Sequence, residues 1–393
     1  MGSPLNLGKQ FSILKMTNTI HSLKIHLVLA LSVLAGCTVN TATSVDQEGI
    51  AKPKKKVLVT SNPNIHMSHV IELFVWDGNY PTRPMVVAAQ EYFEPFRNHP
   101  AVVFSDSLLI NELFYFDELT EILLYLEELP STNFKYSLAN SPYRDRLPVI
   151  EKWISLLAKF YRDADVGTFL KENEGFYLGA NKEVSENLPP DDFVEQMESY
   201  YRGSRLSYTI IPAPEMPTGG AYGQRGIGPY VYTDNGLHIY QVISASLPVE
   251  RDSLANDYTY FGFDNRPFIL RNSYHEFGHA FVNPILGIEQ YENLVYNYED
   301  SFTPSLKEIM LKQNYDNWFD CVAEHLVRLG EIRLAERSGN AQWAERLRKY
   351  HTDTLGFVFL PALEEKILQY EKNPGINSFA EYLPTLLTVF GED

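Results

Sequence analysis

Cysteine is scarce: the 393 residues hold two, Cys37 and Cys321. With Cys37 assigned to a processing signal below, the body of the chain has no pair left for an intramolecular disulfide. Its stability must come from a packed core. Positive charge is also in deficit, with 33 Lys and Arg against 50 Asp and Glu and a formal charge of −17. That balance argues against a nucleic-acid partner and offers no basic amphipathic helix to an anionic lipid surface. The apolar run at residues 25–34 is too short to cross a bilayer, which takes about 20 residues. Residues 219–228 contain five glycines but lack the lysine and the strand-to-helix setting of a phosphate loop. No internal repeat is evident.

What is present is apolar mass. Hydrophobic residues make up 45% and aromatics 13% of the chain, which excludes general disorder and supports one large domain or two smaller ones. At the N-terminus, Lys15 and Lys24 precede the short apolar run, which closes in Leu34-Ala35-Gly36-Cys37. These are the proportions of a signal peptide, with small residues that let a peptidase reach the backbone. The ending resembles the lipobox of bacterial lipoproteins. The resemblance implies that Cys37 carries lipid and anchors the chain in the bacterial cell envelope. Residues 38–56, rich in Thr, Ser, Ala, Lys and Gln, read as a flexible tether.

Beyond the tether, residues 56–60 and 69–76 are β-branched or aromatic and read as strands. His66 and His69 stand beside them without further ligand-type neighbours and fit a polar sheet edge or rim. Residues 85–96, 107–129, 148–161, 166–176 and 191–201 repeat apolar positions at intervals of three and four, as helices do. Strand character returns at 207–211, and 230–233 and 237–243 flank Asp234-Asn235-Gly236 as a hairpin. The glycine-rich stretch or the hairpin is a candidate to lie over a site and offer backbone groups to an extended substrate. His238, alternating with Tyr240, is a candidate lining residue.

The chemistry concentrates in Tyr274-His275-Glu276-Phe277-Gly278-His279-Ala280. In a helix, histidines four apart project from one face and can share a metal ion, while Glu276 beside the first is available as a base. Leu270, Tyr274, Phe277 and Phe281 fall on the opposite side, giving the helix a greasy back. Asp264 or Asn265 can cap it, Pro267 suits its first turn, and Pro284 predicts its end. Gly278 points to close packing or a nearby ligand.

A catalytic zinc takes three protein ligands. A third histidine six residues after His279 is ruled out, because Ile285 occupies that position. A carboxylate is expected instead, and two compete. Glu299 follows His279 by twenty residues; Glu324 follows it by forty-five, on a predicted helix at 316–339 whose apolar band is Phe319, Val322, Leu326 and Leu329. Asp320, Glu324, Arg328 and Glu331 make a polar stripe on that helix, and Glu324 with Arg328 also reads as an ordinary exposed pair. Tyr222, Tyr240, Tyr296, Tyr298 and His238 are candidate oxyanion donors. Asn272, Asp320 and Asn283 are candidate partners for the outer imidazole nitrogens.

The segment from Tyr274 to Pro284, with Glu324-His325-Leu326-Val327-Arg328, resembles an uncharacterised family of bacterial lipoproteins carrying a domain of unknown function. That family is itself similar to the gluzincin metallopeptidases. The resemblance implies an α+β, zincin-like fold, with a helical half at 57–205 and a metal domain at 206–393. It implies that His275, His279 and Glu324 bind Zn2+ and that Glu276 is the catalytic base, and it names no substrate. The reading taken from the motif is a membrane-tethered zinc metallopeptidase acting on peptides or proteins. Two other readings stay open: a binding lipoprotein with a non-catalytic zinc site, and a hydrolase of a non-peptide amide.

Overall fold

Asn62 decides the first departure from sequence expectation. Its side chain accepts from the backbone N–H of Asn64 and Ile65, and Pro63 follows it, so a helix starts where a strand was predicted at 69–76. The run is buried on nearly every side, and such a run carries neither the alternation of a strand nor the stripe of a surface helix.

The computed structural model describes residues 54–76, 83–218, 223–249 and 258–392. The signal segment, Cys37 and most of the tether therefore lie outside the described residues, as does Tyr222. Pro53–Asp393 is one compact unit. It opens with β1 (Val57–Val59), α1 (Pro63–Val75), α2 (Pro84–Phe93), α3 (Pro100–Ile110), α4 (Phe116–Leu123), α5 (Leu147–Asp163), α6 (Val166–Glu172), α7 (Glu174–Glu186) and α8 (Phe193–Tyr201). Strands β2 (Ser207–Pro212), β3 (Gly226–Ile227), β4 (Tyr230–Thr233) and β5 (Gly236–Ile243) follow. The chain closes with α9 (Arg266–Leu286), α10 (Glu289–Tyr296), α11 (Pro304–Leu311), α12 (Trp318–Arg337), α13 (Ala341–Lys349), α14 (Leu360–Lys372) and α15 (Phe379–Leu387). Among the described residues no helix is long and apolar enough to cross a membrane.

This is an α+β architecture with a small mixed sheet. β1, β2 and β5 run parallel, and β3 and β4 pair antiparallel with successive parts of β5. The sheet thus joins β1 to strands on the far side of residue 205. The predicted hairpin is β4–β5. Both faces of the sheet are covered: Tyr208, Ile210, Ile239 and Ile243 pack with α8, α9 and α12, while Ile211, Val231 and Val242 pack with α1 to α6. Strand alternation assigns each residue to one side.

Three helix boundaries differ from the sequence pattern. Residues 107–129 do not form one helix: the chain breaks after Ile110, with Glu112 at φ 53°, and restarts at α4, where Glu118 accepts from the N–H of Tyr115. Residues 166–176 divide between α6 and α7. The motif helix does not end at Pro284 but continues to Leu286. Proline cannot donate to the carbonyl four residues back; that carbonyl, on Ala280, instead accepts Nε and Nη2 of Arg205 at 3.0 and 2.8 Å.

Candidate metal centre

α9 begins at Asn265, whose side chain accepts from the N–H of Phe268 at 3.2 Å. Its apolar back enters the core as the pattern required, with Tyr274, Phe277 and Phe281 buried among Phe193, Tyr201 and Tyr208. Ser273 donates to Gln241 of β5 at 2.7 Å and pins the helix to the sheet. On the other flank α9 crosses α12 closely. A Cβ on Gly278 would lie 3.3 Å from both Val327 and the Tyr201 hydroxyl, and one on Gly330 would lie 2.3 Å from that hydroxyl. Gly278 serves close packing.

This crossing brings four predicted residues together. Nε2 of His275 and Nε2 of His279 are 3.3 Å apart. Glu324 reaches them from α12, with Oε1 at 3.2 Å from Nε2 of His279 and Oε2 at 3.8 Å from Nε2 of His275. Glu276 completes the cluster with the two histidines. Glu324 is 5% exposed, and its Oε2 is buried with the Nη2 of Arg328 at 3.4 Å as its ion-pair partner. Tetrahedral ligands about 2.0–2.1 Å from zinc stand about 3.3 Å from one another. The two imidazoles and Oε1 of Glu324 beside His279 match that spacing, and the other carboxylate oxygen stands 3.8 Å from His275, so the three side chains could hold one such ion. Glu299, the rival carboxylate, is exposed on the short turn Glu299–Ser301.

The alternative reading of Glu324 and Arg328 as an ordinary exposed pair does not hold, since both side chains are largely buried. The polar stripe of α12 from Glu324 to Glu331 faces α9, away from water. Nδ1 of His275 lies 2.9 Å from Oε1 of Glu331, a residue with no solvent exposure. The same oxygen accepts Nη1 of Arg328 at 2.9 Å, and Oε2 of Glu331 meets Nε2 of His351 at 3.2 Å. The partner of the other imidazole is Asn283, with Oδ1 at 3.4 Å from Nδ1 of His279. Sequence reading included Asn283 and missed Glu331 and His351. Glu331 carried a usable signal, lying one helical repeat beyond Glu324 on the same face.

The protein's own groups polarise this cluster. Burial pushes the Glu276 carboxyl up to about 8, with Glu324 and Asp117 adding to the rise against the pull of His279. Burial pushes His275 down to about 4, aided by the Arg328 charge. Burial also acts to lower His279, but Glu324 outweighs it and raises that imidazole to about 9. Burial would raise Glu324, yet the two histidines hold it well below the usual carboxylate range.

Over the base lies the end of the glycine-rich stretch. A Cβ on Gly226 would fall 1.8 Å from Nδ2 of Asn272 and 2.8 Å from Oε1 of Glu276; one on Gly228 would fall 2.3 Å from the Glu276 carbonyl. β3 can approach only because these positions are glycine. Arg225, just before it, pairs with Glu72 of α1 and with Asp117 of α4, the latter at 2.8 Å.

Other candidates lie elsewhere. His238 and Tyr240 alternate on the opposite sheet face from Gln241; His238 bonds Ser207 at 2.8 Å and borders a cavity of about 270 Å³ with Lys135, Tyr136 and Tyr232. Tyr298 packs against Gly391, Tyr296 is 45% exposed near Phe319, and Asp320 bonds Asn317 at 2.7 Å. His66 and His69 are buried in α1 rather than on a sheet edge. His66 links Ser61 to Glu215 at 2.8 and 3.1 Å, and His69 meets Glu72 at 2.9 Å. Ser61–His66–Glu215 has the connectivity of a nucleophile relay. The N–H groups of Asn64 and Ile65 are taken by the side chain of Asn62, which caps α1.

The family described as "Domain of unknown function (DUF4932)" matches residues 57–389, and the chain belongs to it. No curated protein and no solved structure matches the chain.

Proposed function

We propose that this DUF4932 protein is a zinc-dependent peptidase of gluzincin type, tethered to a bacterial envelope membrane through lipid on Cys37. The observation that carries the reading is the triangle of donors from two crossed helices. His275, His279 and Glu324 stand 3.2 to 3.8 Å apart, with Glu276 beside them. His275 and His279 would hold zinc through Nε2, and Glu324 through its carboxylate.

When bound, zinc supplies a Lewis acid that polarises a scissile carbonyl and acidifies water. The chain's own residues do the rest. Glu276 takes a proton from the attacking water on its carboxylate and delivers it to the leaving amine. Glu331 and Asn283 orient the two imidazoles so that each Nε2 faces Glu324. The backbone of β3, bare of side chains at Gly226, binds an extended substrate as an added strand.

The test is metal analysis of the purified protein together with hydrolysis of a mixed peptide library, for the native chain and for Glu276→Gln. One zinc per chain in both forms, with hydrolysis abolished in the variant, is the expected result. Zinc retained with hydrolysis in neither form would favour a binding lipoprotein, and cleavage confined to non-peptide amides would replace the substrate class. Glu324→Ala should lose zinc where Glu299→Ala keeps it. Cys37→Ser should release the protein from membranes.

A further inference from the structure

Arg328 stands where a metal centre of this kind has no need of a cation. It follows Glu324 by one turn of α12 and reaches two carboxylates at once, with Nη2 3.4 Å from Oε2 of Glu324 and Nη1 2.9 Å from Oε1 of Glu331. The first carboxylate is a proposed ligand; the second holds the outer nitrogen of His275, another proposed ligand. The guanidinium is 14% exposed, lies over the Phe357 ring at 5.5 Å beside Tyr315, and leaves Nε buried without a partner. His351 takes the remaining oxygen of Glu331 from the π-helical turn Tyr350–Thr354. Every contact of the guanidinium with a carboxylate is therefore directed at the back of the metal site.

Three carboxylates, Glu276, Glu324 and Glu331, surround the donors. Arg328 is paired with two of them, Glu324 and Glu331. The arginine also competes with the ion for the electron density of Glu324, directly, and of His275, through Glu331. We infer that Arg328 is a charge-setting residue. It acts through Glu324 and Glu331 to weaken zinc binding and to leave the bound ion more electron-poor, hence a stronger Lewis acid. An arginine that only braced α12 would stabilise the ligands, and its loss would weaken metal binding.

The inference rests on the proposed zinc site and is tested by an opposition of signs. Zinc affinity, read by competition with a chromogenic chelator, and peptide-hydrolysis kinetics are compared for wild type, Arg328→Met and Arg328→Lys. Arg328→Met is expected to bind zinc about tenfold more tightly, since a unit charge near a dication in a buried site is worth at least that factor. Its kcat should fall at least tenfold with KM little changed. Arg328→Lys, which keeps the charge, should stay within about threefold of wild type on both measures. Weaker zinc binding in Arg328→Met, or no change in either quantity, overturns the inference. If Arg328→Met does not fold, Arg328→Lys decides alone: near-native values support a role for charge, and loss of affinity and rate together assigns Arg328 to bracing. Failure of the wild-type protein to bind zinc would instead overturn the peptidase reading.

Discussion

Nδ1 of His275 sits 2.9 Å from Oε1 of Glu331, across the crossing of α9 and α12. The contact assigns the proton of that imidazole to Nδ1 and leaves the Nε2 lone pair facing His279 and Glu324. Carboxylates behind ligating histidines set ring orientation and basicity, and their loss costs roughly 10–100-fold in metal affinity. Glu331→Gln keeps an acceptor and should lose zinc affinity by about tenfold; Glu331→Ala should lose about a hundredfold. Chelator competition measures both. Equal affinities in all three proteins would remove Glu331 from the site.

The closeness of the same crossing depends on Gly330. Alanine there gains up to about 1 kcal/mol in helix propensity, but its Cβ would lie 2.3 Å from the Tyr201 hydroxyl. Overpacking of this kind costs about 1–3 kcal/mol, so Gly330→Ala should be destabilised in urea unfolding. The hydroxyl of Tyr201 is buried without a partner, and Tyr201→Phe should therefore restore most of the loss. A double variant no more stable than Gly330→Ala would refute the steric account.

β3 separates metal binding from turnover. Gly228→Ala sets a Cβ 2.3 Å from the Glu276 carbonyl, which has no room to retreat within α9. The strand must lift from the base while the histidines and Glu324 stay in place. Zinc content should remain at wild-type level and kcat/KM should fall at least a hundredfold, the scale of a loss of substrate positioning. Loss of zinc with loss of rate would mean that β3 supports the metal site itself.

Glu121 of α4 gives a pH dependence remote from the metal. Burial pushes its carboxyl up from 4.5 to about 8, against the N–H of Tyr230 and the hydroxyl of Tyr143, which pull it down. A raised carboxylate is protonated in the folded state when the unfolded chain has already released its proton. Its contribution is complete below about 4.5 and declines until the pH passes about 8. The limiting slope is about 1.4 kcal/mol per pH unit. Glu121→Gln should flatten stability against pH across that window, as measured by urea midpoints. An unchanged slope would place the titration elsewhere.

Much of the site was readable from neighbours in the chain. Asn265, Pro267 and the apolar set at Tyr274, Phe277 and Phe281 described α9 nearly to its end, because caps and stripes act over one or two turns. The error at Pro284 arose because Arg205, some 80 residues earlier, covers the carbonyl that proline leaves open. α1 was misread for a related reason. A helix buried all round has no polar face to mark its period, and the strand-like composition of 69–76 then dominates.

The sequence by itself determined that two histidines and a glutamate share a helix face, that the back of this helix is apolar, and that a hairpin turns at Asp234-Asn235. Each of these follows from residues within a few positions of one another, where backbone geometry leaves little choice. The tertiary structure alone decided what the polar stripe of α12 is for. Glu324, Arg328 and Glu331 have the same spacing whether they meet water or α9, since periodicity reports the direction of a side chain and says nothing of what faces it. The close crossing at Gly278 and Gly330 brings that stripe against His275 and His279, turning a pattern that suits a solvated surface into the back wall of the candidate metal centre.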